Sequence, residues 1–345
     1  MFKKVFLSIC ILFTLIIAAS AQESNFDLAY EAYSEGDYNK SIDLYSLYLD
    51  EYESINAHFN RGLAYYKLGD YENAIFDYTY VIKEDPEDYE AWYNRGLAYY
   101  DAEEYDLSIQ DNEMAISLMP TYDKAYNGLG LCYAAKGKHE DAIDMYSQAI
   151  SLKSSSSLSY YNRALSYQDL YMYDEAEEDY NKAIKINDED PDYYWGRGDL
   201  YYDMYYYEES IDDYTKAIAL DDQNENLFYN RGISYYDNED YEAAEKDFEA
   251  VLNLVPNDID AKWYVALCAN EIGKEEKALA FYNEVEEEDP DYEYLWAIDK
   301  RQLELKIFLK KNWLYGLGII AFIIAAIVFM TKMKRNDEQV VRRFD

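Results

Sequence analysis

Small residues recur along the middle of the chain with a fixed period. Ala29, Gly62, Gly96, Gly130, Ala164, Gly198, Gly232 and Ala266 follow one another at 33 residues once and 34 residues six times. Counting each as position 8 of a unit, a second small residue stands at position 20: Ser41, Ala74, Ser108, Ala142, Ala176, Ser210, Ala244 and Ala278. Position 27 is mostly small or β-branched: Val81, Ala115, Ala149, Ala183, Ala217, Val251 and Val285. Small side chains twelve apart let two helices approach closely, so each unit predicts a helix pair, one helix holding position 8 and the next position 20. Pro86, Pro120, Pro256 and Pro290 fall at position 32 and Pro191 opens a unit, where they punctuate the helices. Eight units result, at 22–54, 55–88, 89–122, 123–156, 157–190, 191–224, 225–258 and 259–290.

Two further positions vary together. Where position 7 is Arg, position 23 is Asp: Arg61 with Asp77, Arg95 with Asp111, Arg163 with Asp179, Arg197 with Asp213, and Arg231 with Asp247. Where position 7 is apolar so is position 23: Leu28 with Leu44, Leu129 with Met145, and Val265 with Phe281. The absence of mixed pairs predicts side chains in contact across the two helices of a unit, as structural ion pairs in a site that tolerates no lone charge.

This pattern resembles the tetratricopeptide (TPR) repeat, most closely in Phe59-Asn60-Arg61-Gly62-Leu63-Ala64-Tyr65-Tyr66-Lys67-Leu68-Gly69-Asp70-Tyr71. The resemblance implies an all-α fold, a right-handed α-solenoid of eight TPR helix pairs. The end units depart from the pattern, with Ala32, Ala269 and Glu275 at tyrosine positions, as capping units do. Residues 291–311 keep helical apolar spacing through Leu295, Ile298, Leu305, Phe308 and Leu309, which predicts a capping, juxtamembrane helix packed on the last unit.

The two ends read differently from the middle. Lys3 and Lys4, an uncharged run from Val5 to Ala18 and Ala19-Ser20-Ala21 predict a signal peptide over residues 1–21. From Trp313 to Met330 run 18 uncharged residues, about 27 Å as helix, which predicts a transmembrane helix over 312–331. A short cytoplasmic tail, 332–345, follows, with Lys332, Lys334, Arg335, Arg342 and Arg343. The expectation is a single-pass membrane protein whose N-terminal domain lies outside the cytoplasm, on the periplasmic face of a bacterial inner membrane.

Charge narrows the partners. The chain carries a formal net charge of −39, with 43 Tyr but only 13 Gly and 5 Pro. So acidic a surface repels nucleic-acid phosphates and favours basic partners. No segment is left over for a catalytic domain, and neither a phosphate-cradling glycine loop nor a nucleophile elbow occurs, so no enzyme and no cofactor are expected. His58 and His139 lie 81 residues apart and read as ordinary surface or seam residues rather than metal ligands. Cys132 and Cys268, four units apart, read as small core residues too distant for a disulfide.

The resemblance also implies a ligand face. In TPR stacks the first helix of each unit lines a concave groove through positions 2, 5, 9 and 12. Here those positions hold Phe26, Tyr30, Tyr33, Phe59, Tyr66, Tyr93, Tyr100, Tyr161, Trp195, Tyr202, Tyr229, Tyr236 and Trp263, with Glu90, Asp192, Asp199 and Asp260 among them. Rigid aromatics beside carboxylates suit a protein or peptide offering apolar side chains with Lys or Arg. The expected function is a non-enzymatic, membrane-anchored scaffold binding such a partner. A sensor subunit signalling through a membrane partner and a glycan-binding accessory of envelope assembly are the alternatives.

Overall fold

The computed structural model describes residues 25–313 and 323–324. Among them it is all α, without a strand. The signal (1–21), the tail (332–345) and most of the expected span (312–331) lie outside the described residues. No helix among the described residues is long and apolar enough to cross a membrane.

The described residues fall into two compact units that divide between Gly196 and Arg197, inside one helix. The first unit holds α1 (25–34), α2 (Tyr38–Glu51), α3 (Ile55–Lys67), α4 (Tyr71–Glu84), α5 (Tyr89–Asp101), α6 (Tyr105–Leu118), α7 (Asp123–Ala135), α8 (His139–Leu152), α9 (Ser157–Asp169), α10 (Tyr173–Ile186) and the start of α11 (Pro191–Asp203). The second holds the rest of α11, then α12 (Tyr207–Leu220), α13 (Glu225–Asp237), α14 (Tyr241–Leu254), α15 (Ile259–Glu271), α16 (Glu275–Glu288), a 3₁₀ turn (Leu295–Ala297) and α17 (300–313). From α2 to α16 the helices alternate between 13 and 14 residues.

Local chemistry sets these bounds. Asp37, Ser54, Asp70, Asp88, Ser156, Asp240 and Asp258 each accept a hydrogen bond from the backbone N–H three residues onward, capping α2, α3, α4, α5, α9, α14 and α15. The turn inside a helix pair needs one left-handed residue, supplied by Gly36, Gly69, Gly137 and Gly273 at φ between 70° and 82°. Glu103, Tyr171, Tyr205 and Glu239 take the same conformation at φ 58–62°. A side chain there costs roughly 1–2 kcal/mol.

In most pairs a ring from the second helix fills the interior. Tyr45, Tyr78, Tyr146, Tyr180, Tyr214 and Phe248 are buried, and Gly62, Gly130, Gly198 and Gly232 permit the close approach of Tyr78, Tyr146, Tyr214 and Phe248. A Cβ added at Gly130 would lie 2.5 Å from the Tyr146 ring, and one at Gly62 2.9 Å from that of Tyr78.

The segment after α16 corrects one expectation. Ile298 and Leu303 are buried against Trp263, Tyr282 and Val285, with Leu295 and Ile307 packed beside them. Leu305, Phe308 and Leu309 instead lie exposed, because α17 turns Leu303 and Ile307 inward and the opposite stripe outward. Lys310 fixes that orientation, reaching Glu275 Oε2 at 2.7 Å and the Gly273 carbonyl at 3.2 Å.

Candidate functional site

The aromatic face named from the sequence lies on the odd-numbered helices. In the first unit Phe59, Tyr66, Tyr93, Tyr100, Tyr161 and Trp195 are all half-buried, as are Tyr202, Tyr229 and Tyr236 in the second. Each ring therefore has a supported side and a wet edge. Support comes from a repeated contact: Tyr66 packs on Tyr71, Tyr100 on Tyr105, Tyr202 on Tyr207 and Tyr236 on Tyr241, with centroids 5.3–5.8 Å apart. Further along the same helices, Phe59 meets Tyr78, Tyr161 meets Tyr180 and Tyr229 meets Phe248 edge-on at 5.6–6.0 Å.

Carboxylates hold several of these phenols. Tyr66 donates to Asp101 Oδ2 at 2.5 Å and Tyr202 to Asp237 Oδ2 at 2.6 Å, each bond joining one helix pair to the next. Burial, then the accepting carboxylate, raises the pKa of both phenols, so they stay neutral donors. Burial likewise pushes Tyr93 and Tyr236 up to about 12. Asp199 is committed within the protein, accepting from Tyr214 at 2.5 Å and from Asn230 at 3.2 Å.

Trp263 does not belong to this face. It is 2% exposed, buried with Tyr282, Ile298 and Leu303, because the segment after α16 closes over the last pair. Tyr292 takes its place beside the acidic row, packing on Trp263 at 5.9 Å and donating to Asp260 at 2.5 Å.

The arginine–aspartate pairs form a separate, interior system. Arg61, Arg95, Arg163, Arg197 and Arg231 each donate through Nε and Nη2 to both oxygens of Asp77, Asp111, Asp179, Asp213 and Asp247, at 2.6–2.9 Å. The arginine side chains are 14–19% exposed and the aspartates 0–8%. A second donor system went unread in the sequence. Nη1 reaches a hydroxyl on the preceding pair: Arg61 to Ser46, Arg95 to Thr79, Arg163 to Ser147 and Arg231 to Thr215, at 2.8–3.1 Å. Aromatic rings flank the guanidinium, such as Trp92 and Tyr99 around Arg95 at 4.8 and 5.6 Å. In Arg61, Arg95, Arg163 and Arg231 all three nitrogens of the fork are thus engaged inside the protein, which makes these four arginines structural clasps between successive pairs.

His58 lies at the seam between α3 and α4 and joins this system. Its Nδ1 lies 2.6 Å from Asp77 Oδ1, and its ring stacks on Tyr80 at 3.9 Å. Cys132 and Cys268 are buried and free, Cys132 within 3.0 Å of the Ser108 hydroxyl. Burial raises both thiols, Cys268 to about 12, which leaves them inert. Among the described residues no group of three His, Cys, Asp or Glu side chains could hold a metal ion.

Comparison with known proteins places the architecture. Family models described as tetratricopeptide repeat match residues 26–78, 59–123, 123–156 and 229–293, and a model described as TPR repeat matches 172–204 and 206–239. No curated protein matches the chain. Among solved structures, a tetratricopeptide repeat protein from Parabacteroides merdae superposes with a TM-score of 0.57 at 20% identity, over 72% of this chain and 99% of that one. The Cut9–Hcn1 hetero-tetramer of the APC/C gives 0.55 at 17% over 78% of this chain, which spans only 53% of the chain it matches. PilF of Pseudomonas aeruginosa gives 0.53 at 13%, over 61% and 95%. At these identities the likeness is one of fold, and together with the family models covering most of residues 26–293 it establishes that the chain belongs to the tetratricopeptide-repeat family.

Proposed function

We propose that this protein is a non-enzymatic, membrane-anchored scaffold that binds a protein or peptide outside the cytoplasm, along the aromatic face of its odd-numbered helices. TPR domains are generally protein-binding scaffolds, and the observation that carries the reading here is the row of half-buried rings set among carboxylates. Rigid rings contribute area at low entropic cost, and the chain's net charge of −39 draws a basic partner towards them. The chosen partner chemistry is therefore apolar side chains interspersed with Lys or Arg.

The exposed stripe of Leu305, Phe308, Leu309 and Trp313 supports the anchor. It leads directly into the uncharged run ending at Met330, and a lipid interface would cover it. In this reading residues 22–311 face the periplasm and 332–345 the cytoplasm.

A crosslinking pull-down from membranes tests the face. The combined variant Tyr100→Ala, Trp195→Ala and Tyr236→Ala should lose most partner capture while keeping its helical circular dichroism. Undiminished capture overturns the reading.

A further inference from the structure

The even-numbered helices carry a face of their own. Along each of them positions 19, 22 and 26 fall at i, i+3 and i+7, a single line down one side of the helix. In six of the eight pairs that line holds at least one charge, such as Asp43 in the first, Asp141 and Asp144 in the fourth, and Glu175 and Glu178 in the fifth. In the second and third pairs it holds none: Asn73, Phe76 and Tyr80 stand on α4, and Leu107, Gln110 and Met114 on α6. Phe76 is 66% exposed, Leu107 and Met114 are exposed as well, and Leu47 continues the line on α2. Single apolar residues on a surface are ordinary, but here they run over three successive even-numbered helices of a chain whose net charge is −39.

The patch stands on a fixed base and has an acidic border. α4 and α6 both pack on α5, and Arg95 of α5 ties them together, donating to Thr79 of α4 at 3.1 Å and to both Asp111 oxygens of α6 at 2.7 and 2.8 Å. Thr79 adjoins Tyr80 and Asp111 adjoins Gln110, so the clasp sets the separation of the two lines. The Tyr80 ring is stacked on His58 at 3.9 Å. Exposed Asp43 and Asp50 lie on α2 before the patch, exposed Asp141 and Asp144 on α8 after it, and exposed Glu72 and Glu113 on α4 and α6 themselves. A base already ordered loses little entropy when something docks on it.

We propose that the outer side of α4 and α6 is a second docking surface, separate from the aromatic face of the odd-numbered helices, and that it takes an amphipathic helix of another protein whose apolar stripe is flanked by Lys or Arg. Charge selects this occupant. A second copy of the chain would bring acidic borders against acidic borders, and an anionic bilayer is repelled in the same way, whereas a helix with basic ends meets opposite charge on both sides of the patch. With a partner on each face the protein bridges two others; the bridging rests on the scaffold reading above, and the second surface does not.

Methionine-methyl NMR on the full chain in phosphatidylcholine nanodiscs tests the surface with a synthetic probe, a helical peptide of about 15 residues with leucines along one stripe and lysines at both ends. The peptide should shift the Met114 methyl saturably and leave that of Met172, exposed ahead of α10, in place. Phe76→Gln with Leu107→Asn copies Gln110 and Asn73, the residues at the same positions on the neighbouring helix, and so keeps fold and charge. It should weaken binding roughly tenfold through the apolar area no longer buried. The variant Tyr100→Ala, Trp195→Ala and Tyr236→Ala should shift Met114 as the native chain does, and exchanging the peptide lysines for glutamates should abolish the shift. An unmoved Met114, undiminished binding by the double variant or equal binding of the glutamate peptide overturns the proposal. A Met114 shift that follows protein concentration without peptide assigns the patch to a second copy, and one that follows added anionic lipid assigns it to the bilayer; either outcome overturns the assignment to a basic helix.

Discussion

The third and fourth helix pairs solve the same packing problem with opposite chemistry. In the third, Arg95 bridges α5 and α6 through Asp111 and reaches back to Thr79 on α4. In the fourth, Leu129 and Met145 occupy the equivalent positions, and the residue equivalent to Thr79 is Glu113. The eighth pair repeats the apolar solution with Val265 and Phe281; Glu249 stands where Thr79 does and takes Lys277 at 2.5 Å instead. The difference teaches that the conserved unit of design is a matched triplet spanning two neighbouring pairs. An arginine calls for an aspartate sixteen residues onward and, in four of the five cases, a hydroxyl about sixteen back, and an apolar residue calls for neither.

The largest test of this contrast removes half a clasp. Arg95→Leu leaves Asp111 buried without its cation and should lower stability by ~3–5 kcal/mol, whereas Arg95→Leu with Asp111→Met copies the fourth pair and should recover most of the loss. Equal thermal midpoints for the two variants would sink the clasp. Thr79→Val is the next in size: it removes only the acceptor that ties Arg95 to the preceding pair, for about 1–2 kcal/mol, and the corresponding Glu113→Gln beside Leu129 should cost well under that. Hydrogen exchange on α4 and α5 reads whether the loss is local to that junction. The smallest difference concerns helix starts. Asp88 caps α5 with a 2.9 Å bond to Ala91 N, while Tyr122 before α7 makes no such bond. Asp88→Ala should cost ~1 kcal/mol, and Tyr122→Phe should leave the α7 start unchanged by chemical denaturation.

Much of this was legible before any coordinates. The 34-residue period set the helix pairs, and the joint variation of positions 7 and 23 marked two side chains that meet. The hydroxyl leg of the clasp had an equally readable signal, since Ser46, Thr79, Ser147 and Thr215 precede four of the arginines and Glu113 and Glu249 precede apolar residues. It was missed because it joins neighbouring units, and comparison within a unit does not look there. Trp263 was misread for a related reason. Position in the repeat assigns a side chain to a helix face, but Trp263 is buried by a segment outside the repeat.

The sequence alone determined the all-α repeat, its period, the close approach of paired helices at small residues and the matched charges, because each follows from contacts between residues at fixed spacing. Only the tertiary structure decided which side of α17 is buried and which tyrosines keep a wet edge. Those outcomes depend on what covers a side chain from elsewhere in the chain, and burial by a distant neighbour leaves no periodic trace.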